Sequence, residues 1–548
     1  MLSNAQVPSY KPLQVSGDIV ASMRAMNNIV EKNGGIRQRR IIINNNTDPH
    51  GKIDHTKTTN LDITSTTWHM NQLGKTFITM DCKAFVHCNK VFTDPDNLGC
   101  LRVFGGLKDS INLLERLKIF SRNKKTGYEN TNCVPEGVAY SVYKTRCQKV
   151  IHKYVHSLFE NVIEYKNSVC GAYINPNVAW GQPNTVYPLE FKVKIYINDI
   201  LALQIFDDWP TMFGDIVLKD ILFTINTMVF AQVDPHAVAK HENFVNESIT
   251  DADLNTILDT HFKYDRKFTQ GGMEGEFITQ IQKAGAKCNY ITEKVRFTVS
   301  KMEFDNITAL IPVYNCTDRT LQEIQSLYPS PEQPWIIPAQ SLDIFQMPPP
   351  TDQRKYNNRI EKPLNNVTDL IPVFYKDTLQ TTCFENPMVD NLEIFADGKC
   401  LVDTRLSTIG EDLFGLVLQS ADLEGVFECT KELEDSLTTP LNNTDGSRKK
   451  RTYTDCTSFL PSFTTQRYGK HYFYDGLETG SRNANIQLIF DAIHQGAHDT
   501  YLWHRPPAPQ IWACRSTYWS YDNVNGLKYH NYGVPPGYES DNDKNLLL

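Results

Sequence analysis

The chain has 548 residues, of which 41% are hydrophobic and 22% are charged, and its formal net charge is -8 at pH 7. These fractions lie near globular values and exclude wholesale disorder, while the negative charge argues against a protein that coats nucleic acid by bulk electrostatics. Aromatic residues, at 11%, favour β structure and extended contact surfaces. The length suits two large β domains as well as four small ones.

The cysteine pattern and the absence of apolar segments restrict the location of the protein. The 13 cysteines are scattered, and no two of them have the Cys-x-x-Cys spacing of a zinc or redox site. This pattern favours reduced thiols, as in a cytosolic or nuclear protein. The N-terminal sequence has no basic segment followed by an apolar one, so a secretory signal is not expected. No run of about 18 apolar residues predicts a membrane span.

The first predicted element is a helix over residues 18–32, where apolar residues recur at 3.6-residue spacing until a glycine pair ends it. A basic run follows, which contains Arg37, Arg39 and Arg40. We interpret residues 1–59 as a helical and basic arm outside the β domains. The three arginines then belong either to a plain solvated arm or to one that contacts nucleic acid or a partner.

After the arm the hydrophobic period changes from 3.6 to 2, which is typical of strands with one buried and one wetter side. The clearest run covers residues 189–197, and similar runs cover 77–86, 221–233 and 295–304. A second helix is predicted over 250–262, where a capping box precedes the apolar residues. Strands therefore dominate, and helices are inserts.

A change of composition at residues 328–365 divides the chain. Prolines are dense in this segment, which predicts a stiff connector between two β domains. The nonapeptide that begins at Asn306 is echoed by another that begins at Asn366, one on each side of the connector. We interpret the echo as a similar strand edge in each half, and as support for a two-domain β protein.

The motifs of several enzyme classes are missing from the sequence. It contains no phosphate-cradling loop, dinucleotide-binding turn, nucleophile elbow or zinc-binding helix motif. The pairs His152/His156 and His494/His498 have the spacing of metal ligands on a helix, but both lie in segments typical of strand or loop, where such residues are about 13 Å apart. The adjacent carboxylates at 207–208 precede a Trp-Pro pair and are typical of a turn. We predict no catalytic residue, cofactor or metal.

A second basic run consists of Arg448, Lys449, Lys450 and Arg451 and follows a polar loop. It has three interpretations: a solvated surface loop, a nuclear-import signal or a dibasic processing site. Processing requires a secretory route, for which the sequence gives no signal. The first two interpretations therefore stay open.

Three stretches carry a resemblance to a known family. The first, VFGGLKDSINLLERLKIF at 103–120, is a small-residue bend that leads into a strand and turn. The second, TCFENPMVDNLEIFADGK at 382–399, looks like the opening hairpin of a second domain. The third begins YDGLETGSR at 474 and continues to PPAPQIW and TYWSY, like closing strands. In pattern and order over 60–525 they resemble the major capsid proteins of Polinton/Maverick elements and related eukaryotic DNA viruses, which share the double jelly-roll fold.

The resemblance implies an all-β chain of two tandem jelly-roll β-sandwiches, a double jelly roll, to which the helix predicted from periodicity adds a short N-terminal helical arm. The implied domains are an arm at 1–59, a first roll at 60–327, a Pro-rich connector at 328–365, a second roll at 366–525 and a tail at 526–548.

The resemblance also implies a function. The protein would be a major capsid protein, without a substrate, that self-assembles into pseudo-hexagonal trimers tiling an icosahedral virion shell. Expected partners are copies of itself and minor capsid or penton proteins. The helical and basic arm has no counterpart in the family, but its apolar stripe beside Arg37, Arg39 and Arg40 predicts a contact inside the shell with a minor capsid protein, genome DNA or an internal membrane. The expected location is the virion, after the host cytoplasm or nucleus. A β-sandwich carbohydrate-active enzyme and another virion protein, such as a penton or spike, remain as alternatives.

Overall fold

The computed structural model of the chain covers both predicted β domains. The residues it describes are 36–42, 52–63, 70–71, 74, 76–92, 103–121, 124–143, 171–203, 216–232, 268–284, 287–314, 319, 322, 329–349, 355–375, 379, 381–382, 384, 387, 389–402, 405–408, 413, 459–465, 476–477, 479, 483–492 and 507–532. The predicted helices at 18–32 and 250–262 and the basic run at 448–451 lie outside these residues. Among the described helices, none is long and apolar enough to cross a membrane.

The first half of the structure is a β-sandwich. Its strands, in chain order, are β1 (Ile36–Ile42), β2 (Ile53–Asp54), β3 (Thr59–Ile63), β4 (Met70–Asn71), β5 (Phe77–Cys88), β6 (Val103–Leu107), β7 (Leu114–Ser121), β8 (Lys124–Asn130), β9 (Gly171–Ile174), β10 (Val186–Tyr196), β11 (Ile216–Phe223), β12 (Met228–Gln232), β13 (Phe268–Gln270), β14 (Glu274–Ala284) and β15 (Lys287–Tyr314). One main sheet has the order β1-β15-β5-β10, and the other has the order β3-β11-β7-β8. Strands β2, β4 and β14 also pair with the long β15.

The strand order of this sandwich defines its topology. Lettered B to I in chain order, the strands of the two main sheets are β1, β3, β5, β7, β8, β10, β11 and β15. The sheets therefore read B-I-D-G and C-H-E-F, which is the jelly-roll arrangement of two interleaved Greek keys.

A third, smaller sheet belongs to the first sandwich and has the order β13-β12-β6-β9. Its strands come from three separate connections of the jelly roll: β6 lies between D and E, β9 between F and G, and β12 and β13 between H and I. Because those three connections leave the sandwich at the same end, their strands are able to pair with one another.

The second half repeats the topology. Its strands are β16 (Trp335–Gln346), β17 (Lys355–Pro363), β18 (Val367–Val373), β19 (Val389–Ala396), β20 (Lys399–Cys400), β21 (Phe463–Thr464), β22 (Asn483–Ala492), β23 (Gln510–Asp522) and β24 (Gly526–His530). The sheets have the orders β16-β23-β18-β21 and β17-β22-β19-β20, with β24 added beside β23. Lettered in chain order from β16 to β23, they again read B-I-D-G and C-H-E-F. The fold is a double jelly roll.

Helices are short inserts between the strands. An α-helix, α1 (Cys133–Tyr143), follows β8, and a single-turn helix, α2 (Pro176–Ala179), follows β9. The Asn175 side chain caps α2 by accepting a hydrogen bond from the Asn177 amide. Two 3₁₀ turns, Ser110–Leu113 and Ile197–Asp199, flank strands of the first sandwich.

The predicted alternation of buried and exposed residues is confirmed in the first sandwich. In β10, Leu189, Phe191 and Val193 are buried, whereas Glu190 and Lys192 are exposed. The run at 77–86 lies in β5 and the run at 295–304 lies in β15. This period-2 burial is what a strand with one side on the core requires.

The single strand predicted over 221–233 is wrong, because a turn divides it into the end of β11 and β12. The Asn226 amide donates to the Thr224 hydroxyl, 3.2 Å away, and the Gln270 side chain donates to the Asn226 carbonyl at 2.6 Å. A short polar segment between two apolar runs is enough to turn the chain when side chains satisfy its backbone groups.

The Pro-rich segment at 328–365, predicted as a connector, contains β16 and β17, which are the B and C strands of the second sandwich. Both strands lie at the ends of their sheet orders, where the missing amide hydrogen of Pro338 or Pro363 does not interrupt a central ladder. The other prolines of this segment that the structure describes, such as Pro348 and Pro349, stand outside the strands. The hairpin at 389–400 likewise joins strands E and F of the second sandwich, so it is not an opening hairpin.

The first sandwich also begins earlier than residue 60, since β1 and β2 lie within the predicted arm. Strand β1 pairs with the end of β15 from Ile36 opposite Tyr314 to Ile42 opposite Thr308. Its arginines obscure the apolar alternation, and charged residues are typical of edge strands. At the other end, β24 occupies the start of the predicted tail at 526–548.

The echoed nonapeptides occupy different strands of the two sandwiches. The first lies in β15, strand I, and the second leads into β18, strand D. Asn306 and Asn366 both have positive φ, at 51° and 49°, and both stand beside a shift of strand register. Asparagine adopts this conformation more readily than most residues, so the two peptides share a bulge and not a position in a repeat.

Candidate functional site at the junction of the two sandwiches

The two sandwiches are joined by a continuous apolar contact. The part of the second sandwich formed by β16, β23 and β24 extends over the first, where Ile337, Trp519 and Tyr521 belong to the same buried cluster as Tyr128 of β8. The Tyr128 ring lies 5.6 Å from the Trp519 ring and 5.0 Å from the Tyr529 ring. Aromatic pairs at these separations add to the stabilisation from burial itself.

A second apolar cluster covers the outer side of the second sandwich's B-I-D-G sheet. Its members are Val138, Ala139 and Leu201 of the first sandwich and Leu342, Ile371, Val373, Phe384, Leu460 and Trp512 of the second. Strand β18 is therefore buried on both sides, with Leu370 in its own core and Ile371 against the first sandwich. A sheet covered on both sides by the same chain is fixed in position relative to the first sandwich.

Hydrogen bonds between the sandwiches fix the register of this contact. The Trp519 indole N–H donates to the Ala202 carbonyl at 2.7 Å, and both groups are buried. The Gln270 side chain donates to the Thr381 hydroxyl at 2.7 Å, and the Thr381 amide donates to the Gln270 Oε1 at 2.9 Å. Such bonds allow only one alignment of the two surfaces, because a shift would leave buried donors and acceptors unpaired.

The junction also contains a buried acid, Glu136, on the first turn of α1. Its Oε2 accepts a hydrogen bond from Asn130 Nδ2 at 2.6 Å, and its Oε1 accepts one from the Leu342 amide of β16 at 3.2 Å. Burial raises the pKa of Glu136 to about 8, because loss of hydration outweighs these two bonds and the nearby positive charge of Arg515. One carboxyl group thus links the two sandwiches and holds its proton at neutral pH.

Arg515 of β23 is a buried cation whose positive charge acts on this acid. Its Nε lies 2.8 Å from Asp343 Oδ2, and its guanidinium donates to the backbone carbonyl and the side chain of Asn531. The guanidinium carbon lies 4.8 Å from the centre of the Tyr532 ring. These contacts tie the chain beyond β24 to the second sandwich and keep the buried charge paired.

The chemistry of the junction favours a structural role. Burial raises the pKa of Tyr128 and of Cys133 well above their ordinary values, so neither is an ionised nucleophile near neutral pH. Within the described residues, no group of three or more His, Cys, Asp or Glu side chains is placed to hold a metal ion. The polar groups of the junction, such as Glu136 and the Trp519 indole, form hydrogen bonds between the two sandwiches.

The chain is similar to known proteins in structure and not in sequence. No protein-family model and no curated protein matches the chain. Among solved structures, the chain is similar to the mavirus major capsid protein at 10% identity and a TM-score of 0.43, over 93% of this chain and 92% of that one. It is similar to a chain of the Sputnik virophage at 10% identity and a TM-score of 0.44, over 94% of each. It is also similar to the Faustovirus major capsid protein at 8% identity and a TM-score of 0.38, over 92% and 97%.

The predicted site residues that the structure describes do not lie at this junction. Arg37, Arg39 and Arg40 lie in β1, where their partners on β15 are Val313, Ile311 and Leu310 respectively. The run at 448–451 lies outside the described residues.

The search for sequence motifs does not identify the residues that form the junction. Trp519 lies in the TYWSY stretch that predicted a closing strand, but the stretch does not indicate contact with the first sandwich. Glu136 and Arg515 carry no sequence signal, since neither belongs to a spaced motif. Only the fold brings them together.

Proposed function

We propose that this protein is a major capsid protein, with a structural and not a catalytic role. It self-assembles into pseudo-hexagonal trimers that tile an icosahedral virion shell. The observation that carries the proposal is the presence of two complete jelly rolls in one chain, fixed to each other by a buried junction.

The geometry fits a trimer because three copies of a two-roll chain place six similar sandwiches around one axis. A cyclic trimer has heterologous interfaces, so the two flanks of each subunit must differ and still complement one another. A flexible link between the rolls would let each subunit adopt many conformations, and three copies would then not form a closed ring. The hydrogen-bonded junction at Trp519 and Glu136 supports one fixed angle between the rolls.

Light scattering after size exclusion, with negative-stain images of the same peak, tests the proposal. We expect a mass about three times the 62.6 kDa of one chain and particles with hexagonal outlines. A monodisperse monomer at high concentration, stabilised against heat by a carbohydrate, would instead support the β-sandwich enzyme. Five-fold or fibrous particles would support a penton or spike protein.

We also propose that the residues before β1, together with Arg37, Arg39 and Arg40 of β1, contact the other virion components: minor capsid or penton proteins, genome DNA or an internal membrane. The support is the apolar stripe at 18–32 beside the basic run at Arg37, Arg39 and Arg40. Because β1 is a strand of the first sandwich, the suitable deletion ends at residue 35. Removal of 1–35 should spare trimers and impair shells or their filling, and loss of the trimer would refute this role.

The proposed location is the virion, reached from the host cytoplasm or nucleus. The basic run Arg448, Lys449, Lys450 and Arg451 supports nuclear import before assembly. Replacement of the four residues by alanine should leave the fluorescently tagged protein in the cytoplasm of host cells. Unchanged nuclear accumulation would identify the run as an ordinary surface loop.

A further inference from the structure

The buried acid at the junction lies between one element of each sandwich. Glu136 is only 5% exposed and stands on the first turn of α1. Its Oε2 accepts a hydrogen bond from Asn130 of the first sandwich, whereas its Oε1 accepts one from the Leu342 amide of the second. The carboxyl group therefore has one partner that moves with it and one that it would lose if the two sandwiches separated.

Helix α1 is held to the first sandwich independently of this acid. A Cβ at Gly137 would lie 2.9 Å from Ile111 Cγ2, so the helix and the 3₁₀ turn that contains Ile111 pack without room for a side chain. The same helix places Val138 in the apolar cluster that contains Leu342 of β16. A separation that leaves both sandwiches folded therefore occurs between α1 and β16, and it brings water to Glu136.

The charged and titratable groups around this acid compensate a carboxylate poorly. Among the described residues, those that act on Glu136 or on the neighbouring Cys133 of α1 are Glu115 on β7, Tyr128 on β8, Asp343 on β16, Arg515 on β23 and Tyr529 on β24. Arg515 is the cation of this set, and its Nε lies 2.8 Å from Asp343 Oδ2. Burial and, after it, repulsion by the acid raise the pKa of Tyr128, Cys133 and Tyr529. An ionised Glu136 therefore shares its counter-ion with another carboxylate and faces groups that ionise to anions.

We infer that Glu136 is a proton-dependent switch of the junction. In its protonated form it joins α1 to β16, and in its ionised form it favours a state in which the two sandwiches are apart while each remains folded. The separated state hydrates the carboxylate and keeps its hydrogen bond to Asn130. The inference rests on the proposed function and adds a control to it, because a chain with separated sandwiches loses the fixed angle that a closed trimer requires.

The pH range of the switch follows from the two environments of the acid. In the closed junction burial raises the pKa of Glu136 to about 8, whereas in the separated state the hydrated carboxyl group titrates near its ordinary pKa of 4.5. Between these values the separated state binds fewer protons than the closed state. Its relative population therefore rises about tenfold per pH unit and levels off above about pH 8. Acidic solution favours the closed junction, and basic solution favours its opening.

Labelling of thiols measures the separation directly. Cys133 and Cys82 are both buried in the first sandwich, but Cys133 lies on α1 at the junction and Cys82 lies in strand D. Mass spectrometry after treatment with a methanethiosulfonate reagent gives the reaction rate at each thiol. The Cys133 rate in the unmodified protein, divided by that in Glu136→Gln, should rise about a hundredfold from pH 6 to pH 8 and then stay level, because the reactivity of the thiol itself cancels. Cys82 should react at less than about one tenth of the Cys133 rate, since the first sandwich stays folded.

Two results of this labelling would overturn the inference. One is a Cys133 ratio that does not vary with pH, and the other is equal rates at Cys82 and Cys133, which would mean that only complete unfolding exposes the acid. The matched control is Glu361→Gln, whose parent side chain is exposed on β17, and it should behave as the unmodified protein does. If Glu136→Gln does not fold, glutathione in the same solution serves as the reference for thiol reactivity.

Light scattering at pH 6 and pH 9 tests the link to assembly. The protein concentration needed for half-maximal trimer formation should rise more than about tenfold in the unmodified protein, because fewer chains are then in the closed form, and should stay constant in Glu136→Gln. Equal rises in both proteins would overturn this link. A chain that is monomeric at both pH values contradicts the proposed function instead, and thiol labelling still reports the switch in the monomer.

Discussion

The buried acid at the junction predicts that stability falls as the pH rises. In the unfolded chain, Glu136 loses its proton near its ordinary pKa of 4.5, whereas in the folded protein it holds the proton to about pH 8. Between these values the unfolded state binds fewer protons than the folded state, so the free energy of unfolding decreases with pH. At about 1.4 kcal/mol per pH unit, the loss reaches roughly 3 kcal/mol at pH 7 and roughly 5 kcal/mol above pH 8.

The substitution Glu136→Gln removes this titration and keeps the size of the side chain. An amide placed against Asn130 brings a constant cost, but that cost does not vary with pH. We therefore expect the stability difference between unmodified protein and variant to shift in favour of the variant by several kcal/mol between about pH 5 and about pH 9.

Urea titrations at several pH values measure this difference, with tryptophan fluorescence as the signal because Trp519 lies in the same junction. The control variant is Glu361→Gln, whose parent side chain is exposed on β17. Parallel pH profiles for the unmodified protein and Glu136→Gln would refute the reasoning, since the loss would then come from other groups.

Three further substitutions test the packing of the fold by urea or thermal denaturation. Trp519→Ala removes a fully buried ring and the donor to the Ala202 carbonyl, and should lower the free energy of unfolding by about 3–5 kcal/mol; a loss under about 1 kcal/mol would contradict a tight junction. Gly105→Ala places a Cβ 2.8 Å from Leu189 Cδ2 and 3.0 Å from Ile174 Cδ1, and should cost about 1–3 kcal/mol. Gly271→Ala is its control, because the nearest atom lies 3.6 Å away. Gln270→Leu removes the hydrogen bonds to Asn226 and Thr381 and should lower the free energy of unfolding by about 2 kcal/mol. An unchanged urea midpoint would contradict a stabilising role for this polar contact.

The all-β class was predictable because alternation of apolar residues is a local property, whereas the double jelly roll was predicted only through the resemblance to a known family. Strand β10 shows it plainly, with every second residue from Leu189 to Ile195 buried. Strand β16 shows where local reasoning fails. Its Pro338 marks a connector in the sequence, yet the residue is compatible with a strand at the end of a sheet. A sequence alone does not reveal which strands lie at an edge.

The junction was not predictable, since its residues acquire their properties from distant partners. Glu136 is an ordinary helix residue until Leu342, 206 positions later in the chain, covers it and donates its amide hydrogen. Likewise, Trp519 meets its acceptor on Ala202 across 317 positions. Desolvation and pairing of this kind depend on the packing of whole domains, and no spacing rule encodes them.

The small sheet of the first sandwich governs how new sequence can enter the chain. Strands β12 and β13 pair directly, with Ala231 opposite Phe268, so the chain leaves and returns at points about 5 Å apart. A segment of almost any length between these points closes at little extra entropic cost, because closure depends only weakly on length once the ends are held together. The pairing of β12 with β13 therefore allows residues 233–267 to be replaced by a segment of another length or sequence without a change in the register of these two strands.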